Sequence, residues 1–210
     1  IKTVAVTAAE VCAEPRAEFY EHMDAANVDL KAFSERFYRE VCGGHLEPVL
    51  ETLVYLRRET DVWFEITTLL IPGENDSDGE LTALSQWVAS ELGPDVPIHF
   101  TAFHPDWKML DTPSTPATTL SRAREIALGQ GLRYVYTGNV HDEEGQSTYC
   151  HACGTMLIER VGYSIGCARL DDAGCCTACG TPVPGVFDGP VGHWGPVRRP
   201  VVLSRRGNGR

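Results

Sequence analysis

The sequence predicts an α/β fold: part of a parallel (β/α) barrel, followed by a small four-cysteine ribbon. Three observations carry this. Short β-branched segments alternate with amphipathic stretches over the first 140 residues, polar residues gather at the ends of the strand segments, and two C-x-x-C-G motifs follow. The chain has 210 residues, 43% hydrophobic and 22% charged, enough for a substantial core.

Ile1 to Val6 reads as a strand. The chain opens inside it, with no methionine, cap or leader, and so reads as a piece of a longer protein. A helix follows Glu14-Pro15 through Phe19, Tyr20 and Met23, proline suiting a first turn. Asn27 to Lys31 is the next strand. Leu46, Val49, Leu50 and Leu53 recur at the helical period, and Val62 to Ile71 is a strand ending at Pro72-Gly73. Ser77 with Glu80 forms a capping-box pattern before Leu81, Leu84, Trp87 and Val88. Ile98 to Ala102 is a fourth strand, Leu120, Ala123 and Ala127 mark a helix that stops at Gly131, and Tyr134 to Tyr136 is a fifth strand.

Strands joined by helices of this length pair in parallel through right-handed crossovers. A doubly wound sheet and part of a barrel both fit. No dinucleotide fingerprint and no phosphate loop is present, and Thr7, Asp29 with Lys31, Thr67 with Thr68, His104 and Asn139 sit at strand C-terminal ends. Parallel α/β folds build their sites there, which favours the barrel.

Six of the eight cysteines fall between residues 150 and 179. Cys150-His151-Ala152-Cys153-Gly154 and Cys176-Thr177-Ala178-Cys179-Gly180 are two knuckles, 22 residues apart. Each puts two thiolates on one tight turn, and two turns make the tetrahedral cage of a closed structural zinc site. Iron in a rubredoxin-like cage would use the same ligands. Cys175 could replace Cys176, though Cys176 has the x-x spacing to Cys179; Cys167 is a further nearby thiol. Between the knuckles, Met156 to Arg160 and Tyr163 to Ile165 read as a hairpin. The expected division is 1–146 for the barrel part, 147–188 for the ribbon and 189–210 for a basic tail.

The net charge of -11 argues against a general nucleic-acid binder, and no apolar run or leader points to a membrane or to export, so a cytoplasmic location is expected. Charge is uneven: the five arginines after Asp188 give +5 against -16 upstream.

The strings Asp24 to Phe33, Val41-Cys42-Gly43-Gly44-His45-Leu46-Glu47-Pro48, Leu69 to Asp76, Phe100 to Asp106 and Tyr134 to Val140, with the knuckles, resemble the radical SAM enzymes of the AmmeMemoRadiSam system. That family is related to the activating enzymes of glycyl-radical enzymes, such as the pyruvate formate-lyase activating enzyme. The resemblance implies a partial (β/α)6 TIM-like barrel and reductive cleavage of S-adenosylmethionine to a 5'-deoxyadenosyl radical. It implies a [4Fe-4S] cluster held by a C-x-x-x-C-x-x-C motif, which this sequence lacks; Cys12 and Cys42 are too far apart to supply it. The cluster ligands are therefore expected outside this chain, which alone is expected to be inactive.

By resemblance Asp29 and Lys31 match a D-x-K strand near the methionine moiety of S-adenosylmethionine, and His104 matches a histidine near the nucleoside. Thr7 stands at a Thr-Asn-Gly turn of the relatives but continues here as Ala8-Ala9-Glu10. Thr67 or Thr68 stands where relatives carry an arginine, which leaves Lys31 as the main cation. Implied partners are a protein or small-molecule substrate, an electron donor, and Memo-like or AMMECR-like proteins. A non-catalytic zinc-ribbon interaction module is the competing reading.

Overall fold

The computed structural model describes residues 2–187. Ile1, the ribbon's expected last residue Asp188 and the whole 189–210 tail, with its five arginines, lie outside the described residues.

Chain order gives β1 (Val4–Thr7), α1 (Ala13–Tyr20), β2 (Ala25–Asp29), a short α2 (Glu35–Phe37), α3 (Leu46–Glu59) and β3 (Trp63–Leu70). Then follow α4 (Asp78–Trp87), β4 (Ile98–Ala102), α5 (Ala117–Gly129), β5 (Val135–Gly138), α6 (Glu143–Gln146), β6 (Thr148–Tyr149), β7 (Met156–Val161) and β8 (Ser164–Ala168). The first five strands form one sheet in the order β1-β2-β3-β4-β5, all pairs parallel. Sequential order without reversal is singly wound. That decides for an arc of a barrel over a doubly wound sheet.

Strand side chains alternate, and the two faces differ. On one face Val28, Ile66, Leu70, Ile98 and Phe100 are fully buried, against Val49 and Leu53 of α3, Leu81 and Leu84 of α4, and Leu120 and Ala123 of α5. Each of these side chains larger than alanine contributes on the order of 1.5–3 kcal/mol through its burial. The other face is concave and only half-covered: along β3, Trp63, Glu65, Thr67 and Leu69 are part-exposed while their neighbours are buried.

Local signals set the ends of these elements. Ser77 caps α4 by accepting from the Glu80 N–H at 3.3 Å. The return half of the expected capping box is absent, because the Glu80 carboxylate accepts from the Phe33 N–H at 2.7 Å and so ties α4 to the loop after β2. β2 also ends earlier than its sequence implies, at Asp29, so Lys31 lies beyond the strand. Two π-helical turns, Tyr38–Cys42 and Val88–Leu92, extend α2 and α4; Gly43 at φ 74° closes the first, a conformation that suits glycine.

After β5 the chain crosses α6 into a three-stranded antiparallel sheet, β6-β7-β8. Its small core holds Cys150, Leu157, Cys176 and Val183 together with Tyr134, the residue before β5. The second sheet is therefore packed against the last strand of the first.

Candidate functional site

The best-formed centre is the cysteine cage. Cys150, Cys153, Cys176 and Cys179 bring their sulfurs within 4.8 Å of one another. Cys150 and Cys179 are 3.6 Å apart, Cys153 and Cys176 3.8 Å. A tetrahedron with Zn–S bonds of about 2.3 Å has edges of roughly 3.8 Å, so the cage fits such an ion. Two near-identical turns build it. Gly154 N–H donates to Cys150 O at 2.9 Å, and Gly180 N–H to Cys176 O at 2.8 Å. Cys150 N–H and Cys176 N–H reach Thr155 O and Thr181 O, both at 2.9 Å. Gly154 and Gly180 sit at φ 73° and 75°, as the second bend of each turn requires.

The thiols are electrostatically uneven. Thr155, through its hydroxyl and backbone, pulls Cys153 down to about 6. Thr181 likewise lowers Cys179. Burial pushes Cys176 up to about 11. Four thiolates this close repel one another unless a cation neutralises them, and that is what a divalent metal supplies. Cys175 is outside the cage: its N–H donates to Asp171 Oδ1 at 2.8 Å, in the loop leading to the second knuckle. Cys167 lies on β8, also outside it.

The second candidate region is the mouth of the arc, at the C-terminal ends of the strands. Asp29 and Lys31 meet there, Nζ to Oδ2 at 2.6 Å, with side chains 27% and 37% exposed. Lys31 is held at both backbone groups as well. Its N–H donates to the Tyr38 hydroxyl at 3.0 Å, and its carbonyl accepts from Asn75 Nδ2 at 2.8 Å. Asn75 is buried, and its other bonds go to Leu69 O and the Ile71 N–H, so one amide ties the loop after β3 to the end of β2. Burial raises the Tyr38 phenol, which keeps it protonated.

The remaining expected residues separate. Thr67 is on the concave face, in register with Asp29, and donates to Asn27 Oδ1 at 3.0 Å. Thr68 points the other way, buried, and donates to Leu30 O at 2.8 Å. Thr7 closes β1 and accepts from the Ala9 N–H at 3.0 Å. His104 is exposed past β4 and makes no hydrogen bond or ion pair among the described residues. Asn139, at φ 60°, donates to Ala102 O at 3.1 Å and so links the ends of β4 and β5.

One pair deeper on the concave face escapes a reading of the sequence. Asp29, Thr67, His99 and Tyr136 stand in one register row across β2 to β5. Below that row, Glu65 Oε2 meets His99 Nε2 at 2.6 Å and Oε1 accepts from Trp63 Nε1 at 3.3 Å. Burial opposes the Glu65 charge, but the His99 contact outweighs it and holds the carboxyl below its usual range. The available signal is the spacing of Glu65 and Thr67, two apart on β3 and so on one face of the sheet.

No family model matches the chain. An uncharacterized protein of Methanocaldococcus jannaschii is 43% identical over 162 residues, covering 77% of this chain and 48% of that protein. The chain thus spans about half the length of the curated relative it matches. Among solved structures, a domain of pyruvate-formate lyase-activating enzyme from Bacteroides vulgatus aligns with a TM-score of 0.57 at 18% identity, over 66% of this chain and 82% of that one. A radical SAM methyltransferase from Sphaerobacter thermophilus aligns at 0.50 and 14% identity, over 73% and 43%. The likeness is one of fold: the parallel arc has the partial-barrel fold that these structures share, and a four-cysteine subdomain follows it.

Proposed function

We propose that this chain by itself is a non-catalytic unit, a radical-SAM-type barrel arc carrying a structural zinc ribbon that serves as an interaction module. The observation that supports this is the placement of the thiols. Among the described residues the one cluster of metal-ligating side chains is the closed four-sulfur cage. A closed cage leaves no open coordination position, whereas S-adenosylmethionine would need one on a cluster. Zinc is favoured over iron because two C-x-x-C turns closing on four thiolates are the usual donor set of a structural zinc site.

In a protein of the relative's length, the second reading is radical SAM chemistry of the glycyl-radical-activase type. The D-x-K string and the concave polar face favour it. There Lys31 would pair with the carboxylate of S-adenosylmethionine, Asp29 would hold the lysine, and Thr7, Thr67 and His104 would line the cofactor. The [4Fe-4S] cluster, held by cysteines outside this chain, would supply the electron for cofactor cleavage. This chain's own residues would bind, orient and exclude water. A protein or small-molecule substrate, an electron donor, and Memo-like or AMMECR-like partners belong to this reading, as does membership of the AmmeMemoRadiSam system.

Anaerobic reconstitution with iron, sulfide and dithionite tests both. The chain alone should yield no 5'-deoxyadenosine from S-adenosylmethionine, and the full-length archaeal relative should yield it. Product from the chain alone would reassign the ribbon cysteines to a cluster; no product from either would leave the interaction module standing alone.

A further inference from the structure

The ribbon touches the concave face at Tyr136 of β5. That ring lies against two side chains. His99 stacks on it, with centroids 5.0 Å apart and planes at 25°, and the Arg160 guanidinium of β7 stands 6.0 Å from its centroid. Its hydroxyl meets Thr148 Oγ1 of β6 at 2.9 Å, and Arg160 Nη1 donates to the same oxygen at 2.8 Å. Thr148 is two residues before Cys150, and β6 and β7 flank the first knuckle. Just before β5, Tyr134 meets the ring of His151, inside that knuckle, at 3.0 Å through its hydroxyl.

On the far side His99 is fixed by Glu65, whose second oxygen takes the Trp63 indole N–H. Asn27, Thr67, Trp63, Tyr136 and Arg160 are the polar or aromatic groups around this pair; the Arg160 charge helps to keep Glu65 ionised. His99 Nε2 is committed to Glu65, and Nδ1 has no partner among the described residues while the side chain is 30% exposed. With one ring nitrogen on the carboxylate, the orientation of His99 is set by Glu65 on one side and by the Tyr136 ring on the other.

We propose that Tyr136 is a positioning residue, through which the metal-folded ribbon sets the geometry of the hydrogen-bonded His99–Glu65 pair on the concave face of the arc. The inference rests on the zinc-ribbon reading for its metal dependence. The ribbon then does more than hold its own fold. Loss of the ion would loosen Thr148 and Arg160, release the Tyr136 ring, and let His99 rotate off Glu65.

Long-range nitrogen–proton NMR of histidine side chains, with the indole N–H signal of Trp63, reads the pair directly. In zinc-loaded chain, His99 should show two distinct, sharp ring-nitrogen signals, with Nε2 held on Glu65, and Trp63 a single sharp indole signal. Chelation, checked by metal analysis, should average the His99 nitrogens and shift the Trp63 signal. Tyr136→Leu should do the same with zinc retained, and Tyr136→Phe, which keeps the ring and loses the hydroxyl, should do so in part. Far-ultraviolet circular dichroism should stay that of a folded arc in each variant. If zinc leaves, or Tyr136→Leu keeps its metal, and the His99 and Trp63 signals do not move, the coupling is wrong. If no zinc binds at all, the ribbon reading fails first, and Tyr136→Leu still decides the role of the tyrosine.

Discussion

Lys31 Nζ lies 2.6 Å from Asp29 Oδ2 although the lysine is already beyond the end of its strand. Two backbone hydrogen bonds, from the lysine N–H to Tyr38 and from Asn75 to the lysine carbonyl, keep it on Asp29's side of the mouth. A part-exposed pair of this kind adds little to stability, about 0–1 kcal/mol.

On the proposed radical SAM reading of a longer protein, Lys31→Met removes the ammonium and leaves the stem. The lost charge-assisted hydrogen bond is worth roughly 1.5–3 kcal/mol, about a ten- to hundred-fold weaker complex with S-adenosylmethionine. Asp29→Asn should weaken binding less. Anaerobic titration beside melting curves checks this: a lower melting temperature with unchanged affinity would make the pair structural.

Glu35 gives a pH dependence. Its carboxylate accepts from the Leu46 N–H at 3.0 Å, meets His45 Nδ1 at 2.8 Å and takes Arg39 Nε at 2.8 Å, capping the start of α3. The Leu46 bond, then His45 and Arg39, bring its pKa down to about 2 from 4.5. A depressed folded-state value means its contribution is whole above the unfolded value and drains away as pH falls toward about 2. Acid unfolding of Glu35→Gln should therefore be flatter than wild type below pH 4.5. Parallel acid titrations of the two proteins check this, and identical slopes would refute the assignment.

The glycines of the knuckles have a defined job. At Gly154 an added Cβ meets nothing within 4 Å, yet φ is +73°. Gly154→Ala should cost backbone strain alone, roughly 1–2 kcal/mol. On the zinc-ribbon reading, in which folding and metal binding are linked, this should read as about tenfold weaker zinc binding in a chelator competition. An unchanged zinc affinity would mean the turn is not formed with the metal.

Much of this fold is written locally. Alternation along Trp63 to Leu70, the period of Leu46 to Leu53 and the spacing of the knuckle cysteines each concern neighbours in sequence, and the arc, its helices and the cage follow from them. Contacts between distant segments were not legible. Glu65 and His99 meet only because β3 pairs with β4; Asn75 serves the ends of two strands; Tyr136 finds Arg160 only when the ribbon folds back on β5. The early end of β2 and the diverted Glu80 carboxylate have the same cause, a tertiary partner that wins over a local one.

The ribbon's proposed role requires that Cys150, Cys153, Cys176 and Cys179 form a structural zinc cage and not a cluster site. The decisive measurement is elemental analysis of chain purified without oxygen, in wild type and in Cys176→Ser and Cys175→Ser. About one zinc per chain is expected, as a closed four-thiolate site holds, kept in Cys175→Ser and lost in Cys176→Ser. Iron with sulfide in place of zinc, or zinc kept in Cys176→Ser and lost in Cys175→Ser, would contradict it.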